Sequence, residues 1–176
     1  DGSKMEEITF ERYAPHGIAV FVECLSDNTN RTVANVRSVF NKNGGELGTN
    51  GSLSFIFDRK DVFTIDNEKL EGHDLDELEM ELIEAGLEEM DRLDDSIMIY
   101  ADFEFFGAMN KALEEKGIEV KSAELQRIPK TTTPLPIDQA QKVMNLIEKM
   151  EDEDDVDTVY HNLEMTDELA AALSED

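Results

Sequence analysis

Cationic side chains recur in one stretch of an otherwise acidic chain. The 176 residues include 42 Asp and Glu but only 16 Lys and Arg, which gives a formal net charge of −26. Between Asn28 and Gly45, however, no acid occurs, while Arg31, Arg37 and Lys42 are all present. Such side chains pair well with phosphate oxygens, and each phosphate they neutralise releases counterions. The chemistry that this stretch offers is therefore anion binding.

A helix is expected to position these side chains. The run "DNTN" supplies candidate N-caps before Arg31, and Gly44-Gly45 is typical of a helix end. Between them, Val33, Val36 and Phe40 recur at helical spacing and are predicted to face inward. The outward face is then predicted to consist of Arg31, Asn35, Ser38 and Lys42, with Arg37 on its flank.

Two further cations, Arg127 and Lys130 in "QRIPKT", are expected near this face and complete the candidate nucleic-acid-binding set. Such contacts would position a protein on nucleic acid and would not read its sequence. The alternative is an ordinary solvated helix face.

The surrounding pattern predicts strands and helices in regular alternation. Ile18 to Leu25 alternates like a strand buried on one face, and further strands are predicted at Leu53 to Phe57 and in "DVFTI". Residues 61–125 are predicted to form strand, helix, strand, helix, strand. After Pro129, the extended "KTTTPLP", a helix from Pro136 and a strand in "VDTVYHNLEM" are expected.

These elements predict an α+β fold of two lobes. Residues 5–60 and 126–165 have the strand and helix order of a ferredoxin-like α/β plait, and a second small α/β lobe, 61–125, interrupts it. The tail, 166–176, is expected to be a frayed helix or disordered.

Three segments resemble signature segments of the YebC family, whose relatives include the mitochondrial translational activator of cytochrome c oxidase. They are "RYAPHGIAVFVECLSDNTNRTVANVRSVFNKNGGELGTNGSLSFIF", "IPKTTTPL" and "VDTVYHN". The resemblance runs from about Glu6 to Asn162. It implies a basic helical N-terminal domain followed by two α/β domains, one interrupted by the other.

Family members are described as probable DNA-binding transcriptional regulators, and some as translation factors acting on ribosomes. This chain departs from them in two respects. It has "YAPHG" where a "YGPGG"-like turn is usual, so Ala14 and His16 put the close backbone packing of that turn in question. The N-terminal helical domain is also absent from the sequence, so activities that depend on it do not carry over.

The charge is unevenly distributed along the chain. Residues 1–60 contain eight acids and seven bases, whereas residues 61–176 contain 34 acids and nine bases. The first lobe is therefore expected to be nearly neutral. The acidic inserted lobe would repel nucleic acid and suits a protein partner.

Other candidate sites are weaker. Phe21 and Ile56 either form an exposed surface on which bases stack or are covered by neighbouring structure. The glycines of "NGGELGTNG" indicate turns, because the loop lacks the Lys-Ser/Thr ending of a phosphate-binding P-loop. The single Cys24 is expected to be a buried structural thiol, which fits a reducing, cytoplasmic location.

No metal, cofactor or catalytic site is predicted. The three histidines His16, His73 and His161 are scattered one at a time, and "EDEDD", Glu151 to Asp155, is expected to be a solvated loop. Acids are too abundant for a catalytic pair to be singled out, so the chain is not expected to be an enzyme. No run is long and apolar enough to span a membrane.

The leading hypothesis is a non-enzymatic regulator of gene expression, a DNA-binding transcriptional regulator of the YebC type. One alternative is a ribosome-associated translation factor that binds RNA. Another is a protein-binding scaffold without nucleic-acid contact.

Overall fold

Strands and helices follow one another along the whole chain. The computed structural model describes residues 4–47, 53 and 55–174. Within these residues the strands are β1 Glu6–Tyr13, β2 Ala19–Ser26, β3 Glu46–Leu47, β4 Phe57–Asp66, β5 Leu87–Arg92, β6 Ser96–Asp102, β7 Ser122–Pro129 and β8 Val156–His161. The α-helices are α1 Thr29–Lys42, α2 Leu75–Ile83, α3 Phe106–Glu115, α4 Ile137–Glu151 and α5 Asp167–Ser174. The strands form two antiparallel sheets, so the predicted α+β class is confirmed.

The chain divides into two compact units. Unit 1 contains residues 1–58 and 129–176, and unit 2 contains residues 59–128. The division expected from sequence has the two crossings near Asp58 to Asp61 and near Gln126 to Pro129.

Unit 1 is built on a four-stranded sheet in the order β3-β1-β2-β8. Its main core lies on one face of this sheet, where α1 and α4 pack against alternate residues of β1 and β2 such as Phe10 and Val22. A smaller cluster covers the other face, where Leu53 and Phe57 pack against Ala19 and Phe21. Strand β2 is therefore buried on both faces, which explains its nearly continuous apolar sequence.

Two strand positions of the plait in unit 1 are filled by segments other than those predicted. The predicted strand at Leu53 to Phe57 is wrong, because residues 53, 55 and 56 form turns and the edge position belongs to the short β3. In "KTTTPLP", only Thr133 forms a bridge, with Leu163. Strand β1 occupies the sheet position that was predicted for "KTTTPLP". The turn at Pro15–Gly17 folds β1 back onto β2, and their pairing begins at Tyr13↔Ala19.

The turn between β1 and β2 contains a strained residue. His16 has φ 65°, and among the described residues every other positive φ belongs to a glycine. A residue with a Cβ is disfavoured in this left-handed region. His16 is one of the two positions at which the chain departs from the "YGPGG"-like turn. The departure is accommodated by strain at His16, whereas Ala14 has an ordinary extended φ of −81°.

Unit 2 has the complete chain order of a ferredoxin-like fold. Its elements run β4-α2-β5-β6-α3-β7, and the sheet order is β5-β6-β4-β7. The helices pack on one face of the sheet, where Phe63, Ile97 and Ile99 meet Leu82 and Met109. The predicted lobe lacked β5, because "LEEMDR" reads as polar and only Leu87 and Met90 pack against the core.

Residues 167–174 form a packed helix, contrary to the expectation of a frayed or disordered tail. Helix α5 packs against α4. Leu169 is only 1% exposed within the core of unit 1, and Leu173 packs against the same core. Burial of these side chains supplies the apolar contact that a short isolated helix lacks.

Candidate nucleic-acid interface

Helix α1 is fixed at both ends by local structure. At its start, the Asn28 side chain accepts a hydrogen bond from the Arg31 backbone N–H at 3.1 Å. Past its end, Gly44 has φ +78°. A Cβ on Gly45 would lie 2.5 Å from a ring carbon of Phe40. The glycines at this end therefore serve the turn and its packing, while residues 48–51 of the "NGGELGTNG" loop lie outside the described residues.

The buried stripe of α1 is rotated from the one predicted. Its buried residues are Thr32, Val36, Val39 and Phe40, whereas Val33 is only half-buried. This rotation changes the outward face. Arg37 is exposed, and Asn35 and Ser38 are half-buried. The predicted outward positions Asn35 and Ser38 are thus only partly exposed, and the exposed Arg37 lies about 140° around the helix axis from Lys42.

The guanidinium group of Arg31 is held by two carboxylates. Its Nε and Nη2 donate to the two oxygens of Asp155 at 3.1 and 2.8 Å, and Nη2 also donates to Asp27 at 2.8 Å. Asp155 further accepts a hydrogen bond of 2.7 Å from the buried Thr32 hydroxyl. These bonds from Arg31 and Thr32 hold the pKa of Asp155 below its ordinary value. Arg31 therefore joins the start of α1 to the loop before β8, and a phosphate would have to displace carboxylates to reach it.

The contact with Arg31 also changes the interpretation of the "EDEDD" run. Asp155 is only 11% exposed in its side chain and is part of the packing at the start of α1. The expectation of a solvated loop therefore fails at Asp155. Sequence alone gave no signal of this contact, because the two partners are 124 residues apart.

Arg37 and Lys42 differ from Arg31 in their surroundings. Both are exposed. Among the described residues, neither has a carboxylate within ion-pair distance or any other polar partner. Their charges are therefore directed to solvent and are available to an anion.

Arg12 on β1 adds a guanidinium that was not among the predicted site residues. Its guanidinium carbon lies 5.4 Å from the centre of the Phe10 ring, and its Nη1 donates to the Glu11 carbonyl at 2.9 Å. The Nε–H is a buried donor without an acceptor among the described residues. Burial, and then the positive charge of Arg37, lower the pKa of Arg12, while Glu11 opposes the shift. The alternation of Phe10 and Arg12 in "ITFERY" is the signal that places both on the helix-facing side.

The other two predicted cations lie in different units. Lys130 belongs to unit 1, where its ammonium is 3.8 Å from Asp58 and both side chains are about half exposed. Arg127 is half-buried on β7 and belongs to unit 2. Among the predicted cations of unit 1, only Arg37 and Lys42 are exposed without a carboxylate partner within the described part of the chain.

Counting charges by folded unit overturns the expectation of a nearly neutral first lobe. Unit 1 contains 21 Asp and Glu and eight Lys and Arg, and unit 2 contains the same numbers, so each carries a formal charge of −13. The error arose because residues 129–176 fold with unit 1 and bring 13 acids but only three bases. Any cationic surface on unit 1 is therefore local.

The proposed stacking surface is not exposed. Phe21 is 6% exposed, and its ring meets that of Phe57 edge to face with 6.2 Å between the centroids. Ile56 is half-buried in the same cluster. Leu53, Ile56 and Phe57 pack on this face of the sheet, so the alternative that neighbouring structure covers these residues holds.

Cys24 and His161, the remaining candidate residues with titratable side chains, lie in structural surroundings. Cys24 is 3% exposed, and burial raises the pKa of its thiol to about 11, so the reactive thiolate is disfavoured. His161 is half-buried, and this burial lowers its pKa, while its Nδ1 accepts the Leu163 N–H at 3.1 Å. Within the described ranges, no three His, Cys, Asp or Glu side chains are grouped so that they could hold a metal ion. No helix in the described part of the chain has the length and apolar character needed to cross a membrane.

Comparisons with known proteins identify relatives along nearly the whole chain. The family described as "TACO1/YebC second and third domain" matches residues 5–163. A "probable transcriptional regulatory protein" of Parabacteroides distasonis is 46% identical over 167 residues, which cover 95% of this chain and 68% of that protein. One with the same name from Flavobacterium johnsoniae is 50% identical over 163 residues, or 93% of this chain and 68% of the relative.

A solved structure agrees with both the family and the fold. The crystal structure of a conserved hypothetical protein from Aquifex aeolicus has a TM-score of 0.80 and 34% identity, covering 95% of this chain and 68% of that one. The chain thus spans about two thirds of the length of these relatives. The breadth of the family match and the identity of 46 and 50% to the two named relatives show that this chain belongs to the TACO1/YebC family.

Proposed function

We propose that this chain is part of a regulator of gene expression that contacts the phosphates of duplex DNA through the outer face of α1. Arg37 and Lys42 are the phosphate-binding side chains, and Arg12 supports the positive potential beside Arg37. The names of the relatives support a regulatory role. The DNA contact rests on the α1 face.

The observation that carries the proposal is the lack of carboxylate partners for Arg37 and Lys42 in a very acidic unit. In a unit with 21 acids and eight bases, Arg31 and Lys130 have carboxylate partners, whereas Arg37 and Lys42 on α1, like Lys142 and Lys149 on α4, have none among the described residues. Arginine and lysine that remain without such a partner keep their full charge for an external anion. Contacts of this kind hold the phosphate backbone and leave base sequence unread.

The charge of the unit sets the strength of this contact. A formal charge of −13 on unit 1 repels DNA, so a few cations give weak binding, with a salt dependence that reflects only those few phosphate contacts. Additional affinity would come from a more basic part of such a regulator. The YebC resemblance implies a basic helical domain for that role.

A salt series tests the proposal. Binding of the 176-residue chain to fluorescein-labelled duplex DNA is measured by anisotropy at several salt concentrations. Replacing Arg37 and Lys42 by Ala should reduce the slope of log K against log salt by about 1.8, since each phosphate contact contributes about 0.9. The matched control is Lys69→Ala with Lys121→Ala, which removes the same charge from unit 2, where both lysines pair with carboxylates.

The outcome distinguishes the hypotheses. An equal change of slope in both double variants would show that net charge alone governs binding and would contradict the proposed face. Arg31→Ala should leave the slope unchanged, because its donors are already used by Asp155 and Asp27. If the chain sediments with ribosomes and shows no affinity for DNA, the ribosomal alternative holds. If it binds neither, the scaffold alternative holds.

A further inference from the structure

Helices α2 and α3 of unit 2 leave a groove between them on the outside of the unit. The groove has a volume of about 900 Å³. Its walls include Ala85, Ala108 and Ala112, together with Met80, which is 72% exposed. Small alanines allow a third element to approach both helices closely, and an exposed methionine adapts readily to an apolar partner.

The rim of this α2–α3 groove is acidic. Two of its carboxylates pair with lysines of α3 and its end, Glu81 with Lys116 and Glu115 with Lys111. Glu77 and Glu84 also line the groove and have no cation partner within the described residues. The rim therefore has a net negative charge after its internal pairs are counted, within a unit whose formal charge is −13.

We infer that the α2–α3 groove binds a cationic amphipathic helix of a protein partner. A groove between two helices offers no free sheet edge, so an extended peptide would leave its backbone N–H and C=O groups without partners. A helix satisfies its own backbone and places its apolar face on the alanines and Met80. Its lysines or arginines then meet Glu77 and Glu84.

The length of the groove limits the occupant. Helices α2 and α3 contain nine and ten residues, which corresponds to about 13–15 Å at 1.5 Å per residue. The partner helix therefore needs about three turns of contact, with apolar residues at i, i+3 or i+4 and i+7.

Charge excludes two other occupants. Nucleic acid would bring phosphates to an acidic rim and be repelled. A second copy of this chain carries a formal charge of −26 and would be repelled in the same way. This inference does not depend on DNA binding by unit 1, and its test contains no nucleic acid.

The probe is a synthetic amphipathic peptide of Leu and Lys, about 18 residues long so that it is helical when bound. A scrambled peptide of the same composition is the matched control. The full 176-residue chain, labelled with ¹³C at its methionine methyl groups, is titrated with each peptide. The amphipathic peptide should shift the Met80 methyl signal and leave that of Met5, which is 56% exposed in unit 1, unchanged.

Two sets of variants locate the contact. Glu77→Gln with Glu84→Gln should weaken binding by about three- to tenfold, whereas Glu104→Gln with Glu124→Gln removes the same charge outside the groove and should change it less than about twofold. Ala108→Trp fills the groove from an exposed position and should weaken binding at least about tenfold. The inference is overturned if the scrambled peptide binds as well, if both double variants weaken binding equally, or if Ala108→Trp has no effect while its circular dichroism is unchanged.

Discussion

Replacing His16 by Gly should stabilise unit 1. His16 has φ 65°, where a Cβ costs about 1–2 kcal/mol, and its side chain is exposed, so little contact is lost on its removal. Glycine loses about 0.5–1 kcal/mol more backbone entropy on folding than a residue with a side chain. The difference predicts a gain of about 0.5–1 kcal/mol in the free energy of unfolding.

Unit 1 contains its own reporter of unfolding. Cys24 is the single cysteine of the chain and lies in the core of unit 1, so its reaction with a thiol reagent follows the opening of that unit. Labelling is measured across a urea series. With a urea dependence of about 1–3 kcal/mol per M, the midpoint should rise by about 0.2–1 M in His16→Gly.

His16→Ala separates strain from the loss of the imidazole. Alanine keeps the Cβ and therefore the strain, so its midpoint should stay close to that of the native sequence. A stabilisation of His16→Ala as large as that of His16→Gly would refute the reasoning from φ. So would a lower midpoint for His16→Gly, since the entropy of glycine would then outweigh the strain.

Three further changes should alter the stability of unit 1 in defined directions. Asp155→Ala removes an acceptor from the buried Thr32 hydroxyl and should lower the free energy of unfolding by about 1–2 kcal/mol. Because the folded-state pKa of Asp155 is lowered, the stability that its carboxylate contributes at neutral pH should be lost as pH falls below about 4. The folded-state pKa of His161 is lowered, so on acidification the unfolded chain binds a proton at this histidine before the folded chain does. The free energy of unfolding should therefore fall as pH decreases below about 6.5. The same pH series should be flatter in His161→Gln, and an unchanged pH dependence in this variant would contradict the assignment. Gly45→Ala places a Cβ 2.5 Å from the Phe40 ring and should lower the urea midpoint of thiol labelling by a shift equivalent to at least about 1 kcal/mol, whereas an unchanged midpoint would show that the ring moves aside freely.

Hydrophobic periodicity predicted the strands and helices whose buried faces follow from spacing within one segment. Strand β2 and helices α1 and α4 were recognisable because each has a long apolar pattern of a single period. The strand position taken by β1 was assigned to "KTTTPLP", because a β-branched run resembles a strand and its prolines are compatible with an edge or a strand end. Strand β5 was missed because its sequence is polar and only part of it contacts the core.

The candidate site shows the same division between local and distant information. Exposure of Lys42 follows from helical spacing within α1. The pairing of Arg31 with Asp155 depends on two segments that meet only in the folded unit, and the covering of Phe21 by Phe57 depends on the path of the chain before β4. The charge of the first lobe was misjudged for a different reason, because it was counted over residues 1–60 alone although residues 126–165 were assigned to the same lobe.

The position of β5 at the outside of the unit 2 sheet has a consequence for solubility. An outermost strand exposes backbone groups that can pair with another molecule and start aggregation. Glu89 and Asp91 place exposed carboxylates along β5, beside Glu88, which pairs with Lys60, so two copies that approach edge to edge repel each other. Salt screens such repulsion over about 10 Å at 0.1 M. The sequence that made β5 hard to recognise as a strand is thus the sequence that keeps this edge from recruiting a second molecule, most effectively at low ionic strength.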